Sequence, residues 1–149
     1  MDDTGDLERF VAAQDAGGTA SSVYQKAMAE LRRGRKTSHW MWFVFPQVAG
    51  LGQSPTSRRY AISSREEARA YLRHPVLGPR LAEAAGILVD LGGDDAAGIF
   101  GGLDAQKLRS SMTLFHRADP EQPLFGAVLA QYFGGRADPA TDRLLGLFD

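Results

Sequence analysis

The chain has 149 residues, with 17 Lys and Arg against 18 Asp and Glu, 44% hydrophobic residues and no cysteine. That length supports one globular domain with a real core, and the missing cysteine excludes disulfide scaffolds, cysteine-type zinc knuckles, thiolate nucleophiles and iron–sulfur ligation. The net charge of −1 and a pI near 6.3 argue against a generally polycationic nucleic-acid binder.

The opening Met1-Asp2-Asp3-Thr4-Gly5-Asp6 is acidic where a secretory signal needs basic residues and an apolar stretch. The longest apolar run, Trp40 to Phe45, falls far short of the ~20 residues that cross a bilayer. A cytoplasmic protein with no membrane segment is the expectation, with residues 1–6 frayed.

In chain order, Thr4 is a candidate cap for a helix through Ala13, and Asp15 to Thr19 is a connector. Ser21 or Ser22 caps a second helix with Tyr24, Ala27, Met28 and Leu31 on one face, and Gly34 suits its left-handed end. The run Thr37-Ser38-His39-Trp40-Met41-Trp42-Phe43-Val44-Phe45-Pro46-Gln47 fits a buried strand or a buried helix. A possible cap at Thr37 or Ser38 and the helical context tip it to helix.

Ser64-Arg65-Glu66-Glu67 has the capping-box pattern before a helix bearing Ala68, Tyr71 and Leu72. Pro79 sits near the start of a long apolar helix with Leu81, Ala84, Ala85, Leu88 and Leu91, stopped at Gly92-Gly93. Asp104 is read as the cap of a helix through Phe115, with Leu108, Met112 and Phe115 as its buried stripe. Ser54-Pro55, Asp119-Pro120 and Asp138-Pro139 each offer an N-cap oxygen followed by proline at the first helical position. The last two are expected to open helices bearing Phe125, Val128, Leu129 and Tyr132, and Leu144, Leu145 and Phe148. The sum is an all-α single domain over residues 1–149, of about seven to eight short helices.

The string His39 to Gln47, followed by Gly50-Leu51-Gly52-Gln53-Ser54, resembles the signature of a bacterial family, domain of unknown function 1810. Glu67-Ala68, Tyr71-Leu72 and His74-Pro75-Val76-Leu77-Gly78-Pro79-Arg80-Leu81 resemble its second block. Phe100-Gly101, Asp104, Lys107-Leu108 and Ser110-Ser111-Met112-Thr113-Leu114-Phe115 resemble its third. The resemblance runs from about Phe10 to Leu145 and implies a compact, mainly helical domain with no established activity. The calpastatin label sometimes given to such sequences does not fit, because inhibitors of that type are disordered repeat chains. The connector at Gly17 to Ala20 is longer than the family pattern, and His116 lies outside its motif.

From Arg32 to Arg73 there is a local excess of seven positive charges around the most aromatic segment. Arg35, Lys36, His39, Trp40 and Gln47 combine cationic donors, an indole and an amide, which suits a flat or compact anion. The plainer reading is a solvated basic surface around a structural aromatic core. Asp104, Lys107 and Ser111 recur at i, i+3 and i+7 and are placed on the side opposite the Leu108 stripe. Lys107 and Ser111 have the spacing of a base and a nucleophile, but nothing resembles an oxyanion hole, so no catalytic residue is assigned.

His39, His74 and His116 are dispersed without carboxylate clusters, so no metal site is expected. His74 is read as hydrogen-bonding at a helix start, and His39 first as a core histidine satisfied by the backbone. Gly98-x-x-Gly101-Gly102 lacks the Lys-Ser/Thr of a phosphate loop, and no cofactor is expected.

The functional expectation is a small anionic or nucleotide-like ligand held between the His39–Gln47 segment and the Asp104–Phe115 helix. Lys36, His39, Gln47, Asp104, Lys107 and Ser111 supply polar groups, with Trp40 as the apolar wall. Nucleic acid is disfavoured and no protein partner is identifiable. The rivals are a protein-interaction module presenting the 40–45 aromatics or the amphipathic C-terminal helix, and an enzyme acting on a nucleotide or ADP-ribose-type substrate.

Overall fold

Short polar caps and prolines cut the chain into ten helices among the residues described by the computed structural model, 6–18 and 21–146. This exceeds the seven to eight expected, because short pieces of little more than one turn, such as α3, Met41–Val44, and α7, Ala96–Phe100, separate from their neighbours. The remaining helices are α1 Glu8–Asp15, α2 Val23–Arg32, α4 Pro55–Arg59, α5 Arg65–Arg73, α6 Leu77–Leu91, α8 Gly102–Ala118, α9 Pro123–Phe133 and α10 Pro139–Leu144. No strand occurs among the described residues; one isolated parallel bridge joins Val48 to Ile62. Among the described residues no helix is long and apolar enough to cross a membrane.

Ser22 caps α2 in a reciprocal box with Gln25, so it is Ser22, not Ser21, that acts. Ser54 and Asp138 cap α4 and α10 ahead of Pro55 and Pro139, as their sequences predict. Ser64 caps α5, but Glu67 reaches back to the backbone N–H of Ser63 and leaves that of Ser64 alone, so the box is incomplete. His74 Nδ1 accepts from the N–H groups of Val76 and Leu77 at 3.1 and 3.3 Å at the entry to α6, while Nε2 faces Glu8 at 2.7 Å. Gly34 and Gly92 take positive φ after α2 and at the end of α6.

Three expected helix starts fall elsewhere. Asp119-Pro120 opens no helix, because Asp119 closes α8 by donating its N–H to Phe115; Gln122 caps α9 instead, with Pro123 following. Asp104 does not cap α8, which starts two residues earlier at Gly102. Neither Thr37 nor Ser38 caps α3, whose first turn follows Trp40 without a side-chain cap. Residue 4, expected as a cap, and Phe148 lie outside the described residues.

The ambiguous run is helical only in its middle, the single turn of α3; from Phe45 on it is extended without forming a strand, with Ile62 N donating to Gln47 O and Ala49 N to Ile62 O, each at 2.8 Å. Pro46 enforces the change, since the residue before proline is driven from the helical region, and Phe45 has φ −125°.

Helix α8 is the centre of the packing, touching α5, α7, α9 and α10, while α6 bridges α9, α5 and α2. Leu108, Met112 and Phe115 are all fully buried, as is Leu114 on a neighbouring face. Burial continues around the helix to Ser110, Ser111 and Thr113, so α8 is an interior helix rather than one with a single apolar stripe. Thr113 Oγ1 donates to Arg109 O, and Ser110 Oγ lies against both Gln106 O and Asp138. Ser111 Oγ has no hydrogen-bond partner among the described residues.

Candidate functional site

A buried carboxylate builds the loop that carries the cationic groups. Glu30, on the inner face of α2, accepts Thr37 N at 2.7 Å, Ser38 N at 2.9 Å, Ser38 Oγ at 2.5 Å and Trp40 Nε1 at 2.9 Å. Burial pushes its carboxyl up, but these four donors outweigh that and hold it at about 2, well below its ordinary 4.5. The loop is pinned on its other side by Lys36 N, which donates to Ile99 O of α7 at 2.8 Å.

The junction of α7 and α8 is a single residue, Gly101, with φ +80°. Only glycine adopts that conformation readily, and it lets α8 begin immediately at Gly102. Among the described residues no side chain caps this end of α8, so its first N–H groups have no intrahelical or side-chain acceptor there. Beside them, Asp104 is gripped by two lysines: Lys36 Nζ lies 2.8 Å from Oδ2 and Lys107 Nζ 3.1 Å from Oδ1. Desolvation raises the Asp104 carboxyl, and the two lysines more than reverse this, so it lies below the usual range. Lys36 also donates to Ser38 O. Its ammonium stands 5.0 Å over the Trp40 ring and that of Lys107 4.4 Å over Trp42, both within cation–π range.

These groups open on a cavity of about 400 Å³ lined by Lys36, His39, Asp104 and Lys107, with Met41, Trp42, Phe100 and Leu103 as apolar walls and Gly101 and Gly102 at its edge. Four of the seven residues singled out from the sequence therefore share one cavity. Trp40 does not face it: its indole is buried and its N–H is taken by Glu30, so Trp42, two positions on, is the wall. Ser111 is buried away from it inside α8. Gln47 lines a second cavity of about 410 Å³, separated from the first by Trp42, Leu103 and Lys107, which border both. His39 is exposed, not a core histidine. Among the described residues no group of three His, Asp or Glu could hold a metal ion.

A family model described as protein of unknown function, DUF1810, matches residues 4–145. The chain belongs to the DUF1810 family. It is also similar to the crystal structure of the conserved hypothetical protein Rv1873 from Mycobacterium tuberculosis, at 52% identity and a TM-score of 0.88, covering 96% of this chain and 98% of that one. Comparison with curated proteins finds no match.

Within this DUF1810 fold, the blocks that carry the resemblance divide by position. The His39–Gln47 block and the block beginning at Phe100 meet across the first cavity. The block from Glu67 to Leu81 forms the turn between α5 and α6, where Gly78 lies so close to α5 that an added Cβ would stand 2.1 Å from Leu72 O. His116, outside the motif, packs its ring against Gly126 of α9, where a Cβ would lie 3.1 Å from it. His116 lines neither of the two cavities.

Sequence reasoning missed Glu30, Trp42 and Leu103. A glutamate inside the apolar face of α2 was the available signal for the first. Leu103, beside two glycines at a helix start, was the signal for the last.

Proposed function

We propose that this protein binds a compact anionic, nucleotide-like ligand in the cavity between the Lys36–Trp42 segment and the first turn of α8. The observation that carries the reading is the convergence of Lys36, Lys107 and His39 on one cavity that also borders the uncapped end of a 17-residue helix. Both the lysine charges and the helix dipole favour an anion there. Asp104 holds the two ammonium groups in place while leaving the cluster with a positive excess. Trp42 and Phe100 supply flat apolar surface for the uncharged part of the ligand.

A thermal-shift panel of inorganic phosphate, pyrophosphate, nucleotides and phosphorylated metabolites tests the reading. A ligand at 100 times its Kd stabilises by about 2.7 kcal/mol, which a melting curve resolves. Lys107→Ala is expected to remove the shift. Folded protein that shows no shift with any member of the panel overturns the proposal.

Protein docking is a second reading, supported by Leu103, an apolar side chain 84% exposed beside the cavity. The aromatic run on which that reading first rested is largely interior: Trp40, Met41, Val44 and Phe45 are buried. Leu103→Ser distinguishes the two, since it removes the exposed apolar side chain on which docking depends without adding a charge beside the lysine pair.

A further inference from the structure

The second cavity has a different chemistry from the first although the two share a wall. Apart from the shared Lys107 it is lined by no cation; its polar groups are the amides of Gln47, Gln53 and Gln106, the hydroxyls of Ser54, Ser57 and Ser110, and the carboxylate of Asp138. Asp138 is buried, and its Oδ2 is occupied by Ser110 Oγ, Thr141 N and Thr141 Oγ1. Among the described residues its Oδ1 receives only Gln106 Nε2, at 3.4 Å, and so retains acceptor capacity. Among the described residues the Gln47 side chain makes no hydrogen bond, while its backbone oxygen is fixed by Ile62. A fixed backbone with a free amide, beside a carboxylate oxygen with room for another donor, matches neutral hydroxyl groups.

Resting on the anion-binding reading of the first cavity, we infer that the ligand has two parts: a phosphate between Lys36 and Lys107, and a hydroxyl-bearing sugar lying past Trp42 against Gln47 and Asp138. The ligand class is thus a sugar phosphate, free or as part of a nucleotide. Each cavity holds about 400 Å³, within the range of small-ligand sites, and Lys107 borders both, where it reaches a phosphate at their junction. A purely inorganic anion would leave the hydroxyl-matching side unused.

Isothermal titration of the full chain with inorganic phosphate, ribose, ribose 5-phosphate and adenosine 5′-monophosphate tests this. At least one of the two phosphorylated sugars is expected to bind ten times more tightly than inorganic phosphate, and which one does so tells a free sugar phosphate from a nucleotide. Gln47→Ala is expected to shrink that preference at least threefold, and Gln47→Glu to shrink it further; melting curves check that both variants fold. Lys36→Ala is expected to weaken every phosphorylated probe. If inorganic phosphate binds as tightly as both phosphorylated sugars, the two-part ligand is overturned while the anion cavity stands. If Gln47→Ala and Gln47→Glu leave the preference intact, the placement of the sugar is overturned. If no phosphorylated probe binds, both readings fall.

Discussion

Trp40, the largest fully buried side chain, donates its indole N–H to Glu30 Oε1 at 2.9 Å, joining the aromatic core to a carboxylate on the preceding helix. Glu30 is therefore the residue on which the Lys36–Trp40 loop depends. Glu30→Ala strands three N–H groups and a hydroxyl and is expected to cost about 3 kcal/mol, read as a lower denaturation midpoint. Because the folded carboxyl sits at about 2 rather than 4.5, its contribution is complete above pH 4.5 and is lost as pH falls towards 2. Glu30→Gln should accordingly lose less stability than the native chain between pH 5 and pH 3; an unchanged acid limb would count against this role.

The approach of α6 to α5 at Gly78 leaves no space for a methyl group, with Leu72 O 2.1 Å from where a Cβ would stand. Gly78→Ala is expected to destabilise by about 3 kcal/mol, the upper end of overpacking costs. Gly86 is on the same helix with nothing within 4 Å of its Cβ position, and Gly86→Ala should stabilise by about 0.5–1 kcal/mol through helix propensity alone. Chemical denaturation of the pair separates crowding from propensity.

Asp138 caps α10 and also receives Ser110 from α8, tying the last helix to the centre of the fold. Asp138→Ala removes the cap and leaves buried donors without an acceptor, for an expected loss of about 2–3 kcal/mol. Hydrogen exchange should show the loss concentrated in α10; uniform destabilisation would contradict this local role.

Asp104 competes with any anion for Lys36 and Lys107. Asp104→Asn keeps the shape and removes the negative charge, so inorganic phosphate should bind about fivefold more tightly at low salt, matching the ~1 kcal/mol of a water-screened charge at contact distance. The gain should shrink as ionic strength rises. Weaker binding would mean that Asp104 matters more as an anchor for the lysines than as a competitor.

Local chemistry was readable from the sequence wherever a cap and its helix are contiguous, as at Ser22, Ser54, Ser64 and Asp138. It misled where two similar signals lay close together. Asp119-Pro120 and Gln122-Pro123 carry the same pattern, and Asp119 is already committed to ending α8. At Asp104 the capping oxygen looked decisive, but the turn depends on Gly101, whose positive φ lets α8 start earlier.

The candidate site was legible as a meeting of two segments, since Lys36, His39, Asp104 and Lys107 line one cavity. Which tryptophan faces it was not. Trp40 and Trp42 occupy equivalent positions in an apolar run, and only the acceptor contributed by Glu30 from another helix draws the first inward. Ser111 shares a helical side with Lys107 by spacing, yet α8 is enclosed beyond its first turns, so the same side passes from cavity to interior.

The chain has two tryptophans, and their unequal settings give the molecule a built-in optical gauge. Trp40 is sealed in the interior, so its emission follows unfolding, whereas Trp42 stands under the Lys107 ammonium on the ridge between the two cavities. In Trp40→Phe the remaining tryptophan fluorescence comes from that ridge alone. A molecule settling on either side would alter its intensity or colour without any added label.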